Sequence, residues 1–243
     1  MKNFLAFCAV FFLAALAAPA QAALSVDVTQ GNAQPLPIAI PDFIAADQAG
    51  ANIAGVVRAD LERSGLFRPL DQKGFAEHIA NINTVPNFGS WRAIAAQGLV
   101  TGQVTPQPDG RLRVDFRLWD VYGESQMLGL QYFTQGENWR RVAHLVSDAI
   151  YERITGEKGY FDTRIVFISE SGPAIKRVKR LAVMDEDGAN PIFLTRGDYL
   201  VLTPRFNPTA QMIAYMSYIA GKPRVYLFDM ETGKQEMLGN FPN

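Results

Sequence analysis

Two histidines, one cysteine and a scatter of carboxylates are the residues with which this 243-residue chain would have to build bond-making chemistry. His78 and His144 stand apart. Neither lies in an H-E-x-x-H run or another metal-ligand spacing, so each reads as a structural or surface residue. Cys8 falls within the first 22 residues, and no later thiol exists to act as nucleophile, metal ligand or disulfide partner. There is no G-x-S-x-G, no phosphate-cradling glycine loop and no dinucleotide fingerprint. Asp185-Glu186-Asp187-Gly188-Ala189-Asn190 offers oxygen ligands and a glycine but lacks the closing Glu of a calcium loop, and reads as a hairpin turn. Lys176-Arg177-Val178-Lys179-Arg180 is a short basic run that reads as a solvated loop. Trp91, Trp119 and Trp139 fall within or beside expected regular structure and read as packing residues. No catalytic residue, metal site or cofactor is therefore expected, and the chain must work through its surfaces.

Those surfaces are expected outside the cytosol. Lys2 gives a short positive start, Phe4 to Ala18 is an unbroken apolar run, and Pro19 breaks it before Ala20-Gln21-Ala22. This is the pattern of a secretory signal over residues 1–22, cut between Ala22 and Ala23. The run is shorter than the roughly 20 residues a helical span needs, and no later segment is long and apolar enough to cross a bilayer as a helix. The exported chain is expected to be soluble. Its formal charge of −1 and lack of a basic stripe give no footprint for nucleic acid.

The elements that position these residues fall into two halves, 23–158 and 159–243. In the first, Leu24–Thr29 reads as a short strand with Leu24, Val26 and Val28 on one face. Pro37–Pro41 is a second strand bounded by prolines. Asp47 is placed to cap a helix whose apolar stripe runs through Ile53, Val56, Val57 and Leu61, with Asp60 the polar intruder, and Gly65 ends it. His78 falls in a short helical stretch. Ser90 is placed to cap another helix, running to Gln97 and closed by Gly98. Leu99–Val104 follows as a strand, and Pro108-Asp109-Gly110 turns the chain. Leu112, Val114, Phe116 and Leu118 then alternate with Arg111, Arg113, Asp115 and Arg117, the clearest half-buried strand in the chain. Gly123-Glu124-Ser125 turns into a strand over Gln126–Thr134. A helix from Asn138 to Ile154 carries the stripe Trp139, Val142, Ala143, Val146, Ala149, Ile150 and Ile154, with His144 beside it, and stops at Gly156. The sum is a mixed sheet with helices packed on it, an α/β or α+β domain.

The second half repeats itself. Arg164–Ser169 matches Gln211–Ser217, Leu181–Gly188 matches Val225–Gly233, and Ile192–Thr195 matches Glu236–Gly239. The offset of about 44 to 48 residues is that of a four-stranded propeller blade. Blades bury their faces only against neighbours, so a chain with two at most is expected to be part of a longer protein.

Three stretches in this order resemble the TolB family of the bacterial Tol-Pal system: Arg58–Phe67, Asp115–Val121 and Ile150–Phe161. The resemblance runs from about Leu24 to the end. The family's blades usually open on Trp/Phe-Ser-Pro-Asp-Gly, where this chain has Phe206-Asn207-Pro208-Thr209-Ala210. The resemblance implies an N-terminal α/β domain followed by the start of a six-bladed β-propeller, here truncated. It also implies a non-enzymatic periplasmic adaptor with two partners. Pal, the peptidoglycan-associated lipoprotein, is bound through the propeller and gives peripheral association with the outer membrane. TolA is bound through the mature leading segment. Carried over by position, that segment is Ala23, Leu24, Ser25, Val26, Asp27, Val28 and Thr29, and in the family it can also dock back on its own protein. A short alternating strand at a free terminus can add to the edge of a partner's sheet. The family helps outer-membrane constriction and integrity during cell division.

Two other readings are weighed against this one. An exported hydrolase whose propeller filters access to a catalytic domain would need a nucleophile and base that the chain does not show. An RNA-binding α/β module is opposed by the export signal and the missing basic surface. No small-molecule substrate is expected.

Overall fold

The computed structural model describes residues 24–25, 34–219 and 221–238. The signal, its cleavage point and all of the Leu24–Thr29 strand beyond Leu24 and Ser25 lie outside the described residues. The chain divides into two compact units, residues 1–158 and 159–243.

The first unit is built on a five-stranded sheet. In chain order its elements are β1 (Leu36–Ala39), α1 (Ala49–Arg63), β2 (Phe67–Pro69), α2 (Phe88–Ala93), β3 (Gly98–Pro106), β4 (Arg111–Asp120), β5 (Ser125–Gln135) and α3 (Trp139–Thr155). The spatial order is β2-β1-β3-β4-β5. β1 runs parallel to β2 and β3, and the β3-β4-β5 meander is antiparallel, so the sheet is mixed as the sequence predicts. Val114, Phe116 and Leu118 are buried while Arg113, Asp115 and Arg117 beside them are not, which is the half-buried alternation read from the sequence. α1 packs on α3 and also meets β2 and β3, while α3 lies on β4 and β5. The buried stripes are Ile53, Ala54, Val57 and Leu61 on α1 and Val142, Val146, Ile150 and Ile154 on α3.

A second cluster forms around residues of opposite parity. Ala39, Leu99 and Trp119 stand side by side in register. Successive strand residues face opposite ways, so these three point away from Ile38 and Leu118. Phe88, Trp91 and Ala96 join them, with Phe75 and Ile79 packed alongside. The Trp91 indole N–H donates to Glu77 at 2.5 Å, and that of Trp119 donates to Thr101 Oγ1 at 3.1 Å. Both act as packing residues with a satisfied polar tip, as predicted, whereas Trp139 is half-buried.

Several local expectations need correction. Asp47 precedes the cap position of α1, which Gln48 fills, but its carboxylate accepts from Ala49 N at 2.9 Å and serves the helix start from there. Ser90 lies inside α2, not at its start. That helix begins after Asn87 and ends at Ala93, where Ala95 turns the chain with φ 59°. Gly98 instead opens β3. His78 lies in an irregular strap and is exposed, not helical. The basic run is half strand: Val178 opens the strand Val178–Asp185, Lys179 pairs with Glu170, and Arg180 stacks over Phe193. Gly65 and Gly156 end their helices at φ 74° and 77°, as their type predicts.

The second unit is all β. A three-stranded meander, β6 (Arg164–Ser171), β7 (Val178–Asp185) and β8 (Ile192–Phe193), is followed by a four-stranded one, β9 (Val201–Phe206), β10 (Met212–Ser217), β11 (Arg224–Asp229) and β12 (Gln235–Met237). The repeat matches β6 to β10, β7 to β11 and β8 to β12. Leu181 and Val183 from one sheet share a core with Ile213, Tyr215, Tyr226 and Phe228 from the other. These are blade-like sheets packed face to face, the arrangement expected of a propeller. The unusual 206–210 stretch still turns. Asn207 Oδ1 accepts from Thr209 N at 2.9 Å and Ala210 N at 3.2 Å, and so replaces the Asp-Gly chemistry with an Asx turn. In the 185–190 turn Asp187 Oδ1 accepts from Ala189 N, and Asn190 reaches Asp185, so this run is the hairpin turn its sequence predicts.

Candidate functional site

Of the segment expected to meet a partner, Ala23, Val26, Asp27, Val28 and Thr29 lie outside the described residues, and Leu24 and Ser25 have no regular structure. Leu24 is nevertheless seated. Its N–H donates to Asp120 Oδ2 at 3.3 Å. Its side chain lies over the start of β3, with Cδ2 3.7 Å from the point where a Cβ on Gly98 would stand. Gly98 and Asp120 are partners in the β3–β4 register, so the seat is one rung at the end of the sheet. Asp120 is only 6% exposed. Its two oxygens divide their work: Oδ1 accepts from Tyr122 N at 3.0 Å and Gly123 N at 2.8 Å and fixes the β4–β5 turn, while Oδ2 is left for Leu24. A Cβ on Gly123 would come within 2.8 Å of Oδ2, so a larger residue there would make the carboxylate shift. The arrangement can hold a leading segment by one backbone hydrogen bond and one apolar side chain.

A second polar group sits between α1 and α3. Asp60 Oδ2 accepts from His144 Nδ1 at 2.7 Å and from Ser147 Oγ at 2.9 Å, while Oδ1 pairs with Arg63 at 2.6 Å. An ionised carboxylate only accepts, so Nδ1 is the donor. Asp, His and Ser together invite comparison with a hydrolase. In a nucleophilic triad the hydroxyl donates to the imidazole and the imidazole to the carboxylate. Here both donors converge on Asp60, and Asp60, His144 and Ser147 are all buried. The cluster ties two helices together and has no activated hydroxyl. His144 is buried between the two helices and held to Asp60.

The sequence signals these two groups unequally. Asp60 interrupts an apolar stripe, and His144 and Ser147 lie three apart on the facing helix, so a polar tie is legible as polar residues on two buried faces. The Leu24 seat has no such signal. It depends on the strand register that brings Gly98 beside Asp120, across 22 residues of chain.

Comparison with known proteins follows the same division. A family described as the TolB amino-terminal domain matches residues 24–127, and one described as the TolB beta propeller domain matches residues 151–243. Among solved structures, TolB from Acinetobacter baumannii is 30% identical, with a TM-score of 0.74 over 91% of this chain. The chain spans 52% of that protein's length. The LpoB C-terminal domain from Salmonella enterica, 13% identical, covers 43% of this chain and is itself covered to 84%, with a TM-score of 0.34.

Proposed function

This chain belongs to the TolB family, and we propose that it works as a periplasmic adaptor of the Tol-Pal system. In this reading it joins TolA to the outer-membrane lipoprotein Pal and supports envelope integrity and outer-membrane constriction during division. The observation that carries it is the succession of the two TolB domain matches along one chain, on a fold that superposes on TolB over nearly its whole described length. The working parts are faces and one segment. Residues 23–29 engage TolA as an added strand, where backbone hydrogen bonds give the affinity. The propeller engages Pal and thereby places the chain at the outer membrane. No bond is made or broken. The converging geometry around Asp60 supports that side of the reading, because the one Asp-His-Ser group between α1 and α3 is wired as a tie.

The Leu24 seat explains how the segment can serve as a switch. A switch needs two states within a few kcal/mol of each other. One hydrogen bond to a carboxylate and one half-buried leucine supply a hold of that order. The test is deletion of residues 23–29 from the exported protein, followed by TolA and Pal binding and a thermal melt. The expected result is loss of TolA capture, unchanged Pal capture and a still cooperative melt lowered by about a few degrees, the loss of the Leu24 hold. Undiminished TolA affinity in the deletion would sink the assignment of the segment. Failure of the intact protein to bind either partner would sink the adaptor reading.

A further inference from the structure

The sheet of the first unit protects one of its edges and not the other. β2 closes one side. It is three residues long and carries Arg68 and Pro69. Shortness, charge and proline are common means of keeping a stray strand off an edge. β5 closes the other side with eleven residues, none of them charged and none a proline. Its outer edge pairs with no strand among the described residues. Only its start is blunted. The register with β4 slips between Leu118 and Trp119, and Arg153 of α3 donates from Nε to the Met127 carbonyl at 3.1 Å. From Leu128 to Gln135 the ladder on β4 is regular.

Both faces of that stretch leave something uncovered. Leu128, Leu130 and Tyr132 stand opposite Leu118, Phe116 and Val114, on the side of α3. The Tyr132 ring stacks on that of Phe116 with centroids 6.3 Å apart, yet Leu130 beside it is 41% exposed. Gly129, Gln131 and Phe133 face the other way. Phe133 is 46% exposed, with the Arg111 guanidinium 5.1 Å over its ring. Gly129 brings no side chain of its own. What lies against it is the exposed Gln126 amide, whose Nε2 is 2.8 Å from where a Cβ would stand. A glycine inside a strand often marks the close approach of another backbone.

We propose that β5 pairs antiparallel with β5 of a second copy of this chain, about a two-fold axis through Gln131. That axis sets Phe133 of each copy across from Gly129 of the other, so each exposed ring covers a bare glycine and the flexible Gln126 swings aside. A cross-strand aromatic is a known way to support an edge glycine. On the α3 side the same axis sets Leu130 across from Tyr132, and directly opposed side chains of this kind stabilise a sheet. Moving the axis to Leu130 or to Tyr132 separates both pairs. Gln131 meets itself, and an amide can both donate and accept. A two-fold pairing makes each strand its own partner, so a charge near the axis would face its own sign. The uncharged run fits that demand, whereas a strand from a different protein could complement charges placed on β5. The rungs from Leu128 to Thr134 make a small interface, below the roughly 1,200 Å² of standard ones, so a reversible dimer is expected and not a permanent one. The pairing uses the first unit alone and stands or falls separately from the capture of TolA and Pal.

Sedimentation velocity of the exported full chain, through the micromolar range, tests this. A monomer–dimer equilibrium is expected. Gln131→Lys places two ammonium groups opposite each other at the axis and should weaken the dimer about fivefold. Gln131→Glu should do the same with two carboxylates. Residue 131 is exposed, so both variants should keep a cooperative melt. Mixed in equal amounts, the two variants should recover the association that each has lost, because the axis then joins opposite charges. Phe133→Ala should weaken the dimer by a similar factor. A chain that stays monomeric throughout the range overturns the proposal. So does a dimer indifferent to Gln131→Lys, which would form through another face, and so does a mixture of the Lys and Glu variants that stays apart.

Discussion

Asp60 shows how a single side chain that breaks a pattern can hold the pattern together. It sits fully buried on the apolar stripe of α1, where an unpaired carboxylate would be intolerable. Its oxygens are instead taken by His144, Ser147 and Arg63. Removing one member of a buried charged group strands the others, at a cost of about 3–5 kcal/mol. Asp60→Ala is therefore expected to destabilise the protein by about 3 kcal/mol in urea unfolding, with Pal capture unchanged in the folded fraction. The sequence marks Asp60 as an intruder but not its partners, because His144 and Ser147 lie 84 and 87 residues away and only tertiary packing pairs them. Asn207 is a counterpart on the surface. The loss of the family's Asp-Gly pair leaves the hairpin intact because an Asn side chain can accept from the backbone two and three residues on.

At the scale of elements, the stretches that reinforce themselves are legible in the sequence. The Arg111–Leu118 alternation, the α1 and α3 stripes and the glycines that close them each combine period with an end signal. Elements resting on one signal are less legible. Ser90 looks like a cap, yet Phe88 and Trp91 must both be buried, and that requirement moves the helix start back to Asn87. β3 shows what periodicity misses altogether. Its Gly102 is buried against the ring of Phe43, which a Cβ would meet at 2.3 Å. The loop carrying that ring is stitched to the strand by Ile44 N to Gly102 O and Val104 N to Ile44 O, each 2.8 Å. Gly102→Ala must push the ring and its loop off the strand. Overpacking of this kind costs about 1–3 kcal/mol, so a lower urea midpoint is expected, with new amide exchange at Ile44 and Val104.

For the molecule as a whole, the two units differ in how far each closes its own core. The first covers most apolar residues of its sheet with α1, α3 and the cluster around Trp91 and Trp119, leaving Leu130 and Phe133 of β5 partly exposed. The second leaves Ile192, Phe193, Tyr199, Met237 and Leu238 each about half exposed, as sheets do that are made to be stacked. Residues 23–158 produced alone are therefore expected to unfold cooperatively, while 159–243 alone should bind an apolar dye and associate. Equal cooperativity in both pieces would contradict the propeller logic. The repeat that reveals this architecture is readable because hairpin turns recur at fixed intervals, whereas the seat of Leu24 is readable only once β3 lies beside β4. The leading segment is moored to the carboxylate that also locks the β4–β5 turn, so a pull on the leader is felt by the sheet's stiff end and not by a slack loop. In the proposed switch, casting off would break one long hydrogen bond and leave the turn's own two bonds in place, so the berth would keep its shape for the segment's return.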